Sequence, residues 1–280
     1  MEAEERRPGL TFLSGGPLGL KESWERMTMR LRQIALVGRD LAACEADIRA
    51  ILGLDYAYDD PGVGKFGLKN AVFPIGETFL EVVSPRQEGT TAGRLLEKRG
   101  GDGGYMVILQ VRDIAEARAG IAAAGARVVE QADLQGGTVA MSHIHPKDVG
   151  GAILSLDYMH PWTRWEWGGP VWREHVRTDV SVGIVGAELQ GDDPYAMAKR
   201  WGAVLGREVE PMGEYWRIGL DDGGELRFVK TDDGRGEGLG RFDVAVRDPA
   251  AVHAVAKARD RLAPDGDVLL SGTRVRLVQA

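Results

Sequence analysis

Residues Gln33–Leu41, QIALVGRDL, read as an apolar strand that stops at Asp40 and hands the chain to a helix. Asp40 suits the N-cap, where its carboxylate accepts hydrogen bonds from amides that have no partner inside the helix. Beyond it Leu41, Cys44, Ile48, Ile51 and Leu52 fall on one face at helical spacing, and Gly53 closes the helix. Cys44 on that apolar face reads as core. The same grammar returns at Met106–Ile114, MVILQVRDI, with Asp113 as cap, Glu116 three residues on and Gly125 at the end. It returns at Arg241–Asp248, RFDVAVRD, with Pro249 at the first helical position. A looser copy begins near Val180–Val185, and its helix ends at Gly206.

Short alternating segments broken by Gly, Pro or Asp follow each helix and read as antiparallel strands, Phe66–Ile75 and Thr78–Val83 in the first copy. Each unit is therefore a strand, a helix and about three strands. A single unit leaves an apolar sheet face uncovered, so the units are expected to pair. The pairs span residues 29–159 and 178–280, an α+β arrangement of two tandem domains. Residues 1–28 read as a flexible extension and residues 160–177 as a Trp-rich linker.

Bulk properties narrow the function. A formal charge of -7 disfavours nucleic acid or an anionic membrane as the main partner. The single cysteine excludes an internal disulfide framework and fits a reducing cytoplasm. No apolar run approaches a membrane span. Gly100–Gly104 and Gly234–Gly240 do not sit where phosphate loops sit, after a strand and before a helix; each precedes a new first strand, as a linker would. Residues 160–172 hold four of the seven tryptophans, which suits an inter-domain clamp or a pocket wall better than base stacking in an acidic chain.

The paired units, with His145–Asp157, HPKDVGGAILSLD, closing the second, resemble the vicinal oxygen chelate superfamily of glyoxalase and bleomycin-resistance proteins. The phrase is most similar to methylmalonyl-CoA epimerases. The resemblance implies tandem glyoxalase-like domains, each of two paired βαβββ units forming curved mixed sheets. Metal-dependent members hold one divalent ion inside the curved sheet, with a ligand from the first and the last strand of each unit. Carried over, those positions are Gln33, Glu81, Met106 and Ser155. A hard cation wants oxygen or imidazole donors, so Met106 is wrong and Ser155 poor, and no resident cofactor is expected. A relocated divalent site built from Gln33, Glu81, His143 and His145 is the alternative.

What remains is acid/base chemistry. Glu81, buried without a cation, can act as base or acid near neutral pH. His143, His145 and Tyr105 join it as candidate catalytic groups, with Gln33, Met106 and Ser155 contacting substrate. In the second domain Arg227, Arg241 and Arg276 occupy three of the four corresponding positions; converging, they would hold a carboxylate or phosphate, and otherwise they pair with Glu225 and Asp243. The expected function is metal-independent isomerase or lyase chemistry on a carbonyl or acyl compound. The rivals are a protein that sequesters aromatic or antibiotic ligands without chemistry, and a divalent-metal enzyme. The expected partner is a small molecule, with no nucleic acid and no membrane, and a homodimer is compatible.

Overall fold

The computed structural model describes residues 28–280. The extension expected over residues 1–28 therefore lies, Thr28 apart, outside the described residues. In the first half β1 (Met29–Val37) leads to α1 (Leu41–Leu52), β2 (Leu68–Ile75), β3 (Thr78–Pro85) and α2 (Thr91–Lys98). The second unit is β4 (Gly103–Val111), α3 (Ile114–Ala123), β5 (Val128–Leu134), β6 (Val139–Ile144), a short α4 (Pro146–Val149) and β7 (Ile153–Met159). In the second half β8 (Ser181–Gly191) is followed by α5 (Pro194–Leu205), β9 (Glu210–Pro211), β10 (Trp216–Gly219) and β11 (Glu225–Lys230). The chain closes with β12 (Gly238–Val246), α6 (Pro249–Ala258), β13 (Val268–Leu270) and β14 (Thr273–Gln279).

All four long helices start on an aspartate. Asp40, Asp113, Asp193 and Asp248 each accept a hydrogen bond from an amide two or three residues on, satisfying donors the helix cannot. Gly53 and Gly206 end α1 and α5 in the left-handed conformation that costs glycine little.

Each half forms a seven-stranded mixed sheet, in the orders β2-β3-β1-β4-β7-β6-β5 and β13-β14-β12-β8-β11-β10-β9. The two central strands are antiparallel and each is flanked by a parallel neighbour, β3 beside β1 and β7 beside β4. The two units of the first sheet are not equal. The second keeps three strands after its helix, whereas in the first the outermost strand shrinks to a bridge between Tyr58 and Val72. The fourth unit is shortened in the same way, to a bridge between Leu262 and Val268.

Strand alternation divides each sheet into two faces. Ile34, Leu36, Leu80, Val82, Val107, Leu109, Leu154 and Leu156 join the helices in one core that runs through both halves. Ala35, Val37, Val83, Met106 and Ile108 line the opposite face, which cups a separate cluster closed by Trp165 and Trp172. The halves meet along β1 beside β8 and β4 beside β12, with α1 packed on α6 and α3 on α5. The two glycine-rich links interlock at one end of this seam. Arg99 donates to the Glu237 carbonyl at 2.8 Å, and Arg235 donates to the Gly272 carbonyl at 2.7 Å and to that of Asp102.

Gly104 shows how closely the sheets approach. A Cβ there would lie 2.5 Å from both the Leu239 Cβ and its carbonyl oxygen. Backbone cannot yield as a flexible side chain does, so Gly104→Ala should lower the unfolding free energy by about 1–3 kcal/mol. Urea denaturation measures this, and an unchanged midpoint would refute the close approach.

Candidate functional site

The cup of the first sheet encloses a cavity of about 640 Å³. Glu81 stands on β3 opposite Ala35, with Gln33 and Asn70 as diagonal neighbours on the flanking strands, within reach of long side chains. The Gln33 amide donates to Glu81 Oε2 at 2.8 Å and the Asn70 amide to Oε1 at 2.5 Å. Gln33 Oε1 in turn accepts the Trp165 indole N–H at 2.8 Å, which fixes its orientation. Glu81 is buried, and among the described residues no cation pairs with it. Burial therefore drives its pKa up to about 7, only partly opposed by the Asn70 and Gln33 hydrogen bonds.

A second carboxyl shares the cavity. Asp157 on β7 is buried, accepts the Ser155 hydroxyl, and takes the Trp167 indole N–H at 2.6 Å. Burial again dominates, and its pKa rises to about 7. Tyr105 also lines the cavity, where burial and the nearby Glu81 push its hydroxyl up to about 12, so it remains a proton donor across the working pH range. His143 faces Ser155 across the β6–β7 pair. Burial lowers its pKa to about 4 and keeps the ring neutral.

Gln33, Glu81, Met106, Tyr105 and His143 all line this cavity. Ser155 does not; it acts through Asp157. His145 is a correction. Its Nδ1 accepts the Lys147 amide at 3.0 Å, so the ring caps α4 and lies outside the cavity lining. Its loss also dissolves the relocated metal set. Among the described residues no three His, Cys, Asp or Glu side chains cluster as metal ligands. The four family ligand positions do not fit a hard divalent ion either: Met106 offers a thioether, Ser155 gives its proton to Asp157, and both ends of the Gln33 amide are engaged.

Asp157 and Asn70 were not singled out from the sequence, and Trp165 and Trp167 were read only as part of a segment suited to a clamp or a pocket wall. Asp157 sits two residues beyond Ser155 on the same strand face, a spacing that could have found it.

The second cup solves the same face differently, and its arginines are a second correction. Gly186 stands in the place of Gln33, and a Cβ there would lie 2.5 Å from Asp243 Oδ2. Arg227, whose side chain is buried, bonds Asp243 at 2.5 and 2.8 Å and Glu188 at 3.1 Å. Arg241 pairs with Glu188, Asp265 and Asp267, and Arg276 with Asp243. Every arginine proposed as an anion receptor is thus already held by carboxylates. The physical reason is that a desolvated guanidinium must be paired. Replacing Arg227 with Met would leave Asp243 and Glu188 short of a buried partner. Its expected cost is about 3–5 kcal/mol in urea unfolding.

Glu81 makes a sharper prediction. Its folded pKa of about 7 lies above the unfolded carboxylate value, so between the two the folded chain holds more protons than the unfolded one. Stability from this group is full below about pH 4 and is lost as pH rises through about 7, a change on the order of 3 kcal/mol. Asp157 adds a fall of the same sign over the same window. Unfolding free energies measured from pH 5 to 8 should decline, and Glu81→Gln should flatten that decline. An unaltered slope would show that Glu81 is solvated.

The family described as a glyoxalase-like domain matches residues 34–205. The ethylmalonyl-CoA/methylmalonyl-CoA epimerase of Cereibacter sphaeroides is 30% identical over 135 residues, which is 47% of this chain and 98% of that protein. Two solved structures share the fold over most of the chain. A mutant 4-hydroxymandelate synthase from Streptomyces coelicolor superposes with TM-score 0.64 at 16% identity, covering 84% of this chain and 76% of its own. A hypothetical protein from Staphylococcus aureus gives TM-score 0.64 at 12% identity, covering 90% and 100%. The chain therefore belongs to the glyoxalase-like domain family of the vicinal oxygen chelate superfamily.

Proposed function

We propose that the first cup is the active site of an isomerase or lyase that acts on a carbonyl or acyl compound by metal-independent proton transfer. The observation that carries this reading is Glu81, a buried carboxyl held by two neutral amides and pushed up to about 7. A base is most effective when its pKa lies near the working pH, and this one does. Ionised Glu81 takes the proton α to the carbonyl, and the C–H electrons move onto the carbonyl oxygen as an enolate. The Tyr105 hydroxyl, kept protonated by burial, donates to that oxygen. Asp157, in its protonated fraction, returns a proton to carbon in an isomerisation or to the leaving group in an elimination. Trp165 and Ser155 are positioning residues in this scheme, orienting Gln33 and Asp157.

A second reading, sequestration without chemistry, is favoured by the apolar lining and by Trp167 at the cavity wall. Glu81→Gln separates the two. Exchange of α-protons for deuterium, followed by proton NMR on a panel of carbonyl compounds, should fall by roughly 10²–10⁴-fold while ligand binding survives. Activity should also persist in protein that elemental analysis finds free of stoichiometric divalent metal. Turnover indifferent to Glu81→Gln, or lost with a chelator and restored by a metal, would refute the proposal.

A further inference from the structure

The charge balance of the cavity carries a statement about its ligand. Among the described residues its walls bear carboxyls at Asp60, Glu81, Glu130 and Asp157, and one basic amine, Lys65. That amine is spoken for: Lys65 Nζ lies 2.6 Å from Glu130 Oε1 and 4.7 Å above the Phe66 ring. His143 is neutral. The amide end of α2 also reaches the lining at Thr90 and Thr91, but Thr90 Oγ1 already accepts the Gly93 amide. Arg94 stands outside the lining, donating to the Gly89 carbonyl and to Thr91 Oγ1, and acts on Tyr105 only through its field. Deeper in, beside Glu81 and Asp157, an anion would lose its hydration and meet carboxyls with no basic side chain among the described residues left to pair with it there.

The mouth carries an apolar edge beside the Lys65–Glu130 pair. Phe66, Val129 and Leu134 line the cavity and are among the large hydrophobic side chains left exposed, 41, 50 and 44%. Single exposed apolar residues are ordinary, but these three rim one opening. Phe66 ends a short 3-10 turn, Pro61–Phe66, while Val129 and Leu134 belong to β5. The Lys65–Glu130 pair joins those two elements across the mouth, so the apolar side chains flank the same entrance.

We propose that this cavity takes an uncharged carbonyl compound with an apolar or aromatic body, seated with that body between Phe66 and the Val129–Leu134 edge. The inference rests on the reading of this cavity as the reaction site and narrows its substrate class. It sets the chain apart from an epimerase acting on a malonyl thioester, whose free carboxylate would have to enter beside Glu81 and Asp157. The rim supplies burial for the ligand's body, and the donors within supply its orientation.

The test uses the full chain at about pH 8, with Trp167 fluorescence as the reporter. The probes are 4-phenylbutan-2-one, 3-phenylpropionate, 3-phenylpropylamine and methylmalonyl-CoA. The ketone should bind on the order of tenfold tighter than the carboxylate, with little dependence on salt. Val129→Asp, at a half-exposed position that tolerates charge in the fold, should weaken ketone binding by about fivefold or more. No saturable signal with the ketone, equal or tighter binding of 3-phenylpropionate, methylmalonyl-CoA or the amine, or indifference to Val129→Asp would overturn the inference. Failure of the acid/base reading looks different: the ketone binds with the stated preference, yet its α-protons do not exchange and Glu81→Gln changes nothing.

Discussion

A carboxyl sealed from water with no cation beside it has to be held by neutral donors, and that requirement organises the first cup. Glu81 takes the amides of Gln33 and Asn70, and Gln33 is in turn pinned by the Trp165 indole. Asp157 repeats the arrangement with a hydroxyl and the Trp167 indole. The Trp-rich segment is therefore more than filler between two sheets. It supplies the two N–H donors that let polar groups remain on the sheet's inner face. Satisfied in this way, neither carboxyl needs an ion pair, and both keep a proton affinity far above that of a solvated acid.

The second cup begins from the same topology and reaches the opposite electrostatic state. Its registers place Arg227 opposite Glu188 on β8, and Asp243 opposite Arg276 on β14. The inner face is filled by crossed ion pairs, and glycine at position 186 makes room for them. Charges packed this way hold one another, and the guanidinium groups of Arg227 and Arg276 push the Asp243 carboxyl below its usual range despite burial. The half that resembles the epimerase phrase thus keeps a space with two buried acids, while the diverged half fills its inner face with ion pairs and shares the helix layer. A repeated fold lets these two tasks separate because each sheet closes its own cup.

Much of this was legible in the sequence. Aspartate caps, glycine stops and helical spacing fixed the repeat, since those signals arise within a few residues of the chain. Glu81 was named from the family resemblance, which marks its place on the last strand of the first unit. What the sequence did not show depends on partners far along the chain: Trp165 on Gln33, 132 residues apart, and Asn70 on Glu81 from the neighbouring strand. His145 was misjudged for a local reason. A histidine before a proline at a helix start serves as a cap, and the next amide claimed its ring nitrogen. The arginines could be placed on the right strands, but whether a guanidinium meets a ligand or a carboxylate is decided by cross-strand register, which slips by one residue at bulges such as that between Leu239 and Arg241.

The family position of Glu81 and the base role proposed for it pull in opposite directions, and the neighbours bear on the choice. A divalent ion at this place would hold the carboxylate ionised and occupy the lone pairs a proton needs, so the group would cease to be a base near neutrality. Removing a hard donor set without compensation would leave an unsupported buried carboxyl at a cost of several kcal/mol. The combination found here avoids both outcomes. Met106 and Ser155 withhold donors a cation could use, while Gln33 and Asn70 offer N–H groups that a cation could not use at all. Amide donors stabilise the carboxylate enough for it to ionise within reach of physiological pH, and burial stops them from lowering its pKa further. A carboxyl of this kind is set by burial, with the two amides pulling partly against it, so losing either amide should move it more than changing anything at the rim.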